Sequence, residues 1–261
     1  MNGDFLALLP KTPFSQVVAS GSRPDQPSPG WLHPEPLQAT TVFAFHCAAG
    51  VLFAGDHRAT SGSMIFTDKA EKILDLDSHS LMAIAGVPAV AFEMARTLQT
   101  TFEFYRRSQL QTMSLPAKVR ALSKLLHDNL PATLQGFGTV VPIFAGMESS
   151  RAAERPVIYF YDPLGAQFEA TNYAASGSGS ITIRSVLHYL EKWGDPPPSK
   201  LPLSTAALLA IRILITAAEF DAATGGVHPD RHQFATLKLL SADGIRTIPV
   251  EEQERYWAQA G

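Results

Sequence analysis

The chain has 261 residues, of which 46% are apolar and 17% charged, and its formal net charge is −3. The length suits one large domain or two small ones, and the apolar share is ample for a buried core. The slightly acidic balance argues against binding to nucleic acid or a membrane surface, because such proteins carry a basic excess. Cys47 is the only cysteine, so no intrachain disulfide can form, and we interpret it as a core residue.

No targeting segment is expected. The opening stretch MNGDFLALLP lacks a basic region, and its apolar run is too short for a signal peptide. We expect no apolar stretch that approaches the ~18 residues needed to span a membrane. The expectation is a soluble, cytoplasmic protein.

The first 39 residues differ in character from the rest of the chain. They hold seven of the 19 prolines and show no periodicity. Proline removes a backbone donor and disfavours helix at the residue before it, so this arm should be extended or disordered.

Two hairpins are predicted after the arm. The stretches 41–47 and 50–56 are joined by Ala48-Ala49-Gly50, which has the length and composition of a hairpin turn. The stretches 72–77 and 80–86 form the second hairpin by the same criteria.

Helices and strands then alternate in blocks. Helices are predicted at 88–108, 116–134, 180–193 and 204–223 with a short one closing the chain, and strands at 139–147, 156–162, 166–172, 173–179, 233–241 and 245–250. The helix at 204–223 is apolar nearly all round and should be covered on both sides. Hairpins predominate, so the predicted fold class is α+β: a four-layer α-β-β-α sandwich of two mainly antiparallel sheets, in one domain.

Common catalytic and metal-binding patterns are missing from the sequence. It has no G-x-S-x-G elbow, no Walker loop and no H-E-x-x-H. His228 and His232 are four apart, but Pro229 between them favours a surface loop over a metal site. Adjacent strand residues point to opposite faces, so Asp56 and His57 are not expected to act in one triad. Neither a metal nor another cofactor is expected.

Two charged residues stand in stretches that otherwise resemble core. Asp56 ends an apolar run, and Lys72 lies among residues predicted to form a strand. Buried charges are costly unless they are paired, so a mutual ion pair would account for both. Two solvated charges at strand ends fit these residues equally well.

Thr40 offers a different kind of chemistry. If the chain were cut after Ala39, Thr40 would carry a hydroxyl and a free α-amine, which titrates near ~7.7–8.0 and can act as a base at neutral pH. Lys72 close to that hydroxyl would favour the developing alkoxide, and Asp56 would keep Lys72 charged and oriented. This chemistry would account for the arm, for the small residue at the cut and for the paired charges.

Four motifs give the sequence a recognisable pattern: TTVFAFHCAAGVLFAGDHRATSGSMIFTDKAEKI, SLMAIAGVPAVAFEMAR, ASGSGS and EFDAATGGVHPD, in this order. Together they resemble the β subunit of the bacterial 20S proteasome, over essentially all of 40–250. The resemblance implies a threonine-type endopeptidase with the N-terminal nucleophile hydrolase fold at 40–261. It also implies a propeptide at 1–39, which autocleavage removes between Ala39 and Thr40.

The resemblance assigns catalytic roles residue by residue. Thr40 matches the nucleophile, and the family's charged pair falls on Asp56 and Lys72. The residues matched to the catalytic network are Thr40, Asp56, Lys72, Ser178, Asp221 and Thr224.

Substrate-binding positions are implied in the same way. Gly86 matches the N–H donor to the oxyanion, and Thr60 matches a residue that pairs with the substrate as an added strand. The other pairing position falls on Pro88, which has no N–H to donate, so one substrate hydrogen bond should be missing. The pocket for the side chain before the cut would be lined by Ala59, Ala70, Leu74, Ile84 and Phe92. None is charged, so we expect a broad preference for apolar or aromatic side chains there.

The resemblance also implies an assembly. Heptameric β rings would stack back to back between rings of homologous α subunits, and an ATPase regulator would feed in unfolded protein substrates. A non-catalytic ring scaffold is one alternative, favoured by Pro88 and opposed by the retained polar residues. A β-only, ATPase-linked threonine peptidase is another, although HPDRHQ and the C-terminal tail favour the 20S type. A binding module of unrelated fold would keep the intact 261-residue chain.

Overall fold

The computed structural model describes residues 37–61, 64–136, 138–149 and 154–259. Most of the predicted arm, residues 1–36, therefore lies outside the described residues. The described strands are β1 (Leu37–Ala39), β2 (Thr41–Cys47), β3 (Gly50–Gly55), β4 (Ala59–Ser61), β5 (Met64–Thr67), β6 (Ile73–Asp77), β7 (Ser80–Ala83), β8 (Ile143–Ser149), β9 (Glu154–Tyr161), β10 (Gln167–Ala170), β11 (Tyr173–Gly177), β12 (Thr236–Ser241) and β13 (Gly244–Thr247). The described α-helices are α1 (Pro88–Gln109), α2 (Leu115–Asp128), α3 (Leu130–Leu134), α4 (Ser180–Trp193), α5 (Leu203–Phe220) and α6 (Val250–Ala258).

Most strands belong to two five-stranded sheets whose neighbouring strands are antiparallel. The first sheet has the order β11-β2-β3-β12-β13 and the second the order β10-β9-β8-β7-β6. Both predicted hairpins are confirmed: Cys47 pairs with Gly50 across a two-residue turn, and Asp77 pairs with Ser80 in the same way.

The strands divide their side chains between different apolar layers. On β2, Val42 and Ala44 face the layer between the two sheets, whereas Phe43 and Phe45 face the layer beneath the helices. Successive side chains of a strand point to opposite faces. A continuous apolar run such as VFAF is therefore what a strand covered on both faces requires.

Helices cover the outer face of each sheet. Helices α4 and α5 contribute Ile183 and Leu214 to the core against the first sheet, and α1 and α2 contribute Leu98 and Leu122 to the core against the second. The predicted α+β fold, a four-layer α-β-β-α sandwich, is confirmed.

Helix α5 is the described helix whose length and composition, with a mean hydropathy of 1.7, would also suit a membrane span. The expectation that no stretch is so apolar is therefore wrong. Seven of its residues, including Ala210 and Leu214, are buried, and both α4 and α6 contact it. Arg212 and Glu219 are exposed, so the helix is covered by the sheet and its neighbours but keeps a polar outer row. Its packing in the outer layer accounts for its apolar composition.

The helix predicted at 116–134 is interrupted. Helix α2 ends at Asp128, and the short α3 follows after Asn129. Pro131 causes the break, because it cannot donate an N–H and its ring clashes with the carbonyl four residues earlier. The Asn129 side chain fills the gap by donating to the Gly138 carbonyl at 2.6 Å.

A small third sheet, β1-β4-β5, was not predicted. In it Ala39 lies opposite Thr60, and Thr60 lies opposite Ile65. Strands of three or four residues are too short to carry a periodic signal. The strand predicted from residue 139 also begins later, at Ile143, because Pro142 has no N–H for a ladder.

Candidate active site

The register of the first sheet brings several chain segments to one edge. Strand β2 begins where its two antiparallel neighbours, β3 and β11, end. The residues just beyond these three strand ends are Thr40, Asp56 and Ser178. Lys72 immediately precedes β6 of the second sheet and reaches this edge through its contact with Asp56, and the loop that follows α5 supplies Asp221.

Asp56 and Lys72 form an ion pair inside the protein, with side chains 0% and 2% exposed. The Lys72 Nζ donates to Asp56 Oδ1 and to the carbonyl oxygen of Arg58. Burial lowers the pKa of Lys72 from its ordinary value of 10.5, and the Asp56 carboxylate opposes that effect. The geometry is that of a mutual ion pair and not of two solvated strand-end charges.

The Asp56 carboxylate also accepts three backbone N–H groups. Its Oδ1 accepts from Thr41 at 3.0 Å. Its Oδ2 accepts from Arg58 at 3.1 Å and from Gly225 at 3.0 Å. A buried carboxylate needs such donors, and here they tie the start of β2 to two separate loops.

Thr40 lies between β1 and β2 and is 5% exposed. Its carbonyl oxygen accepts the N–H of Ser178 at 3.2 Å. Gly177 permits this approach, because it has φ +96° and a Cβ there would lie 1.5 Å from the Thr40 oxygen. The glycines of ASGSGS, which by composition alone suit a flexible linker, therefore form a close-packed turn. The Ser178 side chain itself is exposed.

Thr41 is a site residue that the sequence reasoning missed. Its Oγ1 accepts the Gly179 N–H at 3.0 Å and lies 2.6 Å from Thr224 Oγ1. Thr224 Oγ1 in turn donates to Asp221 Oδ2 at 2.6 Å. The predicted Asp221–Thr224 pair is therefore brought together, and Thr41 connects it to the strand that carries Thr40. The adjacent threonines of TT were the available signal.

Arg58 is a second residue that was missed. Its backbone meets both members of the buried ion pair, and its side chain donates to Asp68 Oδ1 at 3.0 Å and to the Ala222 carbonyl at 3.2 Å. A Cβ on Gly225 would lie 2.4 Å from the Arg58 guanidinium carbon. The glycine of DAATGG thus leaves room for Arg58, in addition to following the end of α5. No sequence pattern singles out this contact.

Gly86 has φ +109° and forms an isolated bridge with Val140. The hydrogen bonds of this bridge are made by the residues on either side: Val87 donates to the Thr139 carbonyl and Val141 to the Ala85 carbonyl. In such an antiparallel pair the residue's own N–H points away from its partner strand. A Cβ on Gly86 would lie 2.1 Å from the Thr139 oxygen, so glycine is required here.

Thr60 and Pro88 lie in different surroundings. Thr60 is the middle residue of β4 and lies opposite Ala39, so the backbone edge predicted for substrate is the one beside which β1 runs. Pro88 is the first residue of α1. At that position a helix leaves the N–H without an intrahelical partner, so the proline ring removes an outward-facing donor.

Three of the five predicted pocket residues come together. Leu74, Ile84 and Phe92 belong to the apolar cluster beneath α1. Ala59 is buried on β4, and Ala70 precedes β6 and donates its N–H to the His57 carbonyl at 3.0 Å. These two alanines lie outside that cluster.

The histidines singled out in the sequence have other partners. His57 Nε2 lies 2.8 Å from the Phe234 carbonyl oxygen, so the ring is not paired with the Asp56 carboxylate. His232 Nδ1 lies 2.7 Å from Glu254 Oε1. His228 and His232 are both exposed beside the short turn Pro229–Arg231, a surface loop as predicted.

Known proteins match this chain over most of its length. A family model described as proteasome subunit matches residues 37–228. The chain belongs to the proteasome subunit family. It is 39% identical over 222 residues to "Proteasome subunit beta 2" of Thermomonospora curvata, covering 84% of this chain and 76% of that one. It is 35% identical to the "Proteasome subunit beta" of Stackebrandtia nassauensis, covering 87% and 79%, and of Acidimicrobium ferrooxidans, covering 94% and 84%.

Membership of the proteasome subunit family fits the site. The matched range begins at Leu37, three residues before Thr40, and ends four residues after Thr224. It therefore takes in all six residues of the predicted catalytic network. The family relationship supports a subunit of a protease, with peptide bonds as the general substrate.

Because the pKa of Lys72 is lowered, the free energy of unfolding should change with pH in the alkaline range. Between the folded-state pKa and 10.5 the unfolded chain binds more protons than the folded chain, so the free energy of unfolding rises with pH through this window. Each unit by which the pKa is lowered contributes about 1.4 kcal/mol. The free energy of unfolding can be measured by urea unfolding from pH 7 to 10.5. The full chain would carry Thr40→Ala so that no cleavage occurs.

Lys72→Met should remove this contribution. The difference between the two free energies, parent minus variant, should grow with pH. Lys124→Met, which removes a lysine 72% exposed on α2, controls for the loss of one charge. A difference that stays flat or shrinks as pH rises would contradict the lowered pKa.

Proposed function

We propose that this chain is a catalytic β subunit of a bacterial 20S-type proteasome, in which Thr40 is the nucleophile after self-cleavage at Ala39–Thr40. The observation that carries the proposal is the buried Asp56–Lys72 pair, whose carboxylate also binds the N–H of Thr41, the residue next to Thr40. Well-packed apolar residues are often as stable as a buried ion pair, so stability alone does not account for such a pair. A charge that favours an alkoxide at Thr40 does.

The self-cleavage step can be written with this chain's own groups. The Thr40 Oγ forms a bond to the Ala39 carbonyl carbon, the bond between that carbon and the Thr40 nitrogen breaks, and the nitrogen takes the hydroxyl proton. Water then hydrolyses the resulting ester. The products are residues 1–39, with a new carboxylate, and a chain that begins with the Thr40 α-amine and hydroxyl.

The same groups would then serve peptide substrates. The α-amine takes the proton of Oγ as Oγ attacks the scissile carbonyl, and it passes the proton to the leaving amine. The Gly86 N–H would stabilise the oxyanion, where one such donor contributes about 3–4 kcal/mol. Water hydrolyses the acyl-enzyme ester and restores Thr40.

Strand β1 supports this order of events. It holds Leu37 and Ala39 antiparallel to β4, with Ala39 opposite Thr60. A peptide substrate that adds a strand to β4 would enter the same place. The segment before the cut would therefore be the first occupant of the substrate edge.

The proposal includes an assembly in the cytoplasm. Heptameric rings of this chain would stack with homologous α subunits and receive unfolded proteins from an ATPase regulator. Large apolar side chains on several helices, among them Phe104, Trp193 and Phe220, are 67–80% exposed in the single chain. Partner chains would bury such surfaces, whereas neither nucleic acid nor membrane is required.

Self-cleavage is the first prediction to test. The full chain, co-expressed with its α partner, should lose residues 1–39 by intact mass. Thr40→Ala should remain full length because it lacks the hydroxyl, and Thr40→Ser should still be cut because it keeps one.

An uncut wild-type chain inside assembled rings would contradict the catalytic proposal. It would favour the non-catalytic scaffold, which Pro88 already suggests. Active rings that form from this chain without any α subunit would favour the β-only peptidase instead.

Cleavage should prefer apolar side chains before the cut. Leu74, Ile84 and Phe92 are uncharged and share one apolar cluster, so reporter peptides with Leu or Tyr should have kcat/KM about 10- to 100-fold above those with Arg or Glu. Phe92→Ala should reduce this preference, whereas Thr100→Ala, which changes an exposed residue of the same helix, should not. Faster cleavage after Arg or Glu would show the pocket assignment to be wrong.

Pro88 should weaken substrate binding. Pro88→Ala restores an N–H at the first position of α1, and one net hydrogen bond should lower KM about 2- to 10-fold. Pro116→Ala, the same change in the first turn of α2, is the matched control. An unchanged KM in Pro88→Ala, or an equal fall in the control, would rule out a missing substrate contact at Pro88.

A further inference from the structure

We infer that the Thr41 hydroxyl is a positioning group that anchors Thr40 once the bond before it is cut. The inference rests on the proposed function, because only that reaction turns Thr40 into a chain terminus. Terminal residues fray unless something ties them down. A nucleophile at a terminus therefore needs an anchor on its C-terminal side.

The contacts of Thr41 form a hydrogen-bond chain with a fixed direction. The Gly179 N–H can only donate, so it uses a lone pair of Thr41 Oγ1 at 3.0 Å. Thr224 Oγ1 donates to the Asp221 carboxylate, so Thr41 Oγ1 must donate to Thr224 at 2.6 Å. These contacts fix the orientations of both hydroxyl hydrogens.

Two consecutive N–H groups of one turn hold the two consecutive threonines. The Ser178 N–H binds the Thr40 carbonyl oxygen at 3.2 Å, and the Gly179 N–H binds the Thr41 hydroxyl. A Cβ on Gly179 would lie 2.7 Å from Thr224 Oγ1 and 3.0 Å from Thr41 Oγ1. The turn, the threonine pair and the Asp221 loop therefore pack so closely that position 179 has no room for a side chain.

The other anchors of Thr41 do not depend on its side chain. Its N–H binds Asp56 Oδ1 and its carbonyl accepts the Asp56 N–H at 3.2 Å, and any residue except proline could make both contacts at this position. The hydroxyl is the part that requires threonine or serine. Valine would fill the same space in a strand, and a buried hydroxyl is costly unless it is bonded. Thr41 is 0% exposed, so its hydroxyl cannot bond to solvent and depends on the hydrogen bonds described above.

The expected role is positioning and not proton transfer. Loss of the hydroxyl should let Thr40 move relative to the scissile carbon, and small misplacements of a reacting group cost up to about 100-fold in rate. Substrate pairing along β4 does not involve Thr41, so KM should change little. The signature is a fall in kcat at constant KM.

The test compares Thr41→Val with Thr41→Ser in the full chain, co-expressed with its α partner. Kinetics are normalised to the fraction that mass spectrometry shows to be processed. Thr41→Val should lower kcat about 10- to 100-fold with KM within about 2-fold, and Thr41→Ser should stay near wild type. Thr236→Val, which removes the hydroxyl of another buried strand threonine, should leave kcat unchanged.

Amide hydrogen exchange gives a readout that needs no activity. In Thr41→Val the Gly179 N–H loses its acceptor, so exchange at Ser178–Gly179 should quicken about tenfold or more, while Thr41→Ser keeps it slow. If Thr41→Val does not fold, Thr41→Ala also removes the acceptor of the Gly179 N–H without adding bulk and should quicken the same amides.

The outcomes separate this inference from the proposed function. Wild-type kcat in Thr41→Val, or equal losses in Thr41→Val and Thr41→Ser, would overturn the anchor. An uncut Thr41→Val beside a processed Thr41→Ser would support it, since the hydroxyl then already positions Thr40 in the precursor. If the wild type itself is uncut and inactive, the proposed function fails, and the exchange rates alone decide whether Thr41 holds the turn.

Discussion

The Asp56 carboxylate accepts hydrogen bonds from four segments of the chain: the start of β2, the loop after β3, the loop after α5 and the residue before β6. Each donor is far from the others in sequence or on a different element. A fully buried carboxylate is tolerable only while its donors stay in place. The two sheets, α5 and the intervening loops must therefore be correctly packed before this edge can exist, which couples the site to the whole sandwich.

Burying Lys72 is the energetic cost of this arrangement. Burial disfavours its charged form, which is why its pKa is lowered, and Asp56 compensates only in part. Asp56 and the Arg58 carbonyl both accept from the Lys72 Nζ, and the same Asp56 oxygen accepts the N–H of Thr41, so the end of the lysine side chain lies beside the strand that follows Thr40. The same burial that makes the ion pair a poor source of stability makes its field strong at the adjacent residues, since little water screens it.

Sequence patterns predicted the sandwich but only part of the site. Periodicity identified the two hairpins at the start of the domain and all of α4, because those elements lie in layers whose burial repeats every two or 3.6 residues. It failed at Asn129, where apolar spacing runs on although Pro131 ends the helix, and at β1 and β4, which are too short to show a period. The charged pair was recognisable from its improbable setting. The TT pair marked Thr41 without indicating its role, and nothing marked Arg58, because their decisive contacts lie 183 and 164 residues away.

Strand β1 has two effects that the proposed cut would reverse together. While Ala39 lies opposite Thr60, β1 both tethers Thr40 from its N-terminal side and occupies one edge of β4. Removing residues 1–39 would expose that edge, and an exposed strand edge is a template for an added peptide strand. The same event would deprive Thr40 of its tether, so the contacts of Thr41 and of the turn after β11 would have to hold it alone. A site that opens its substrate edge by cutting its own chain therefore needs its anchors on the far side of the cut, which is where the hydrogen bonds of Thr41 lie.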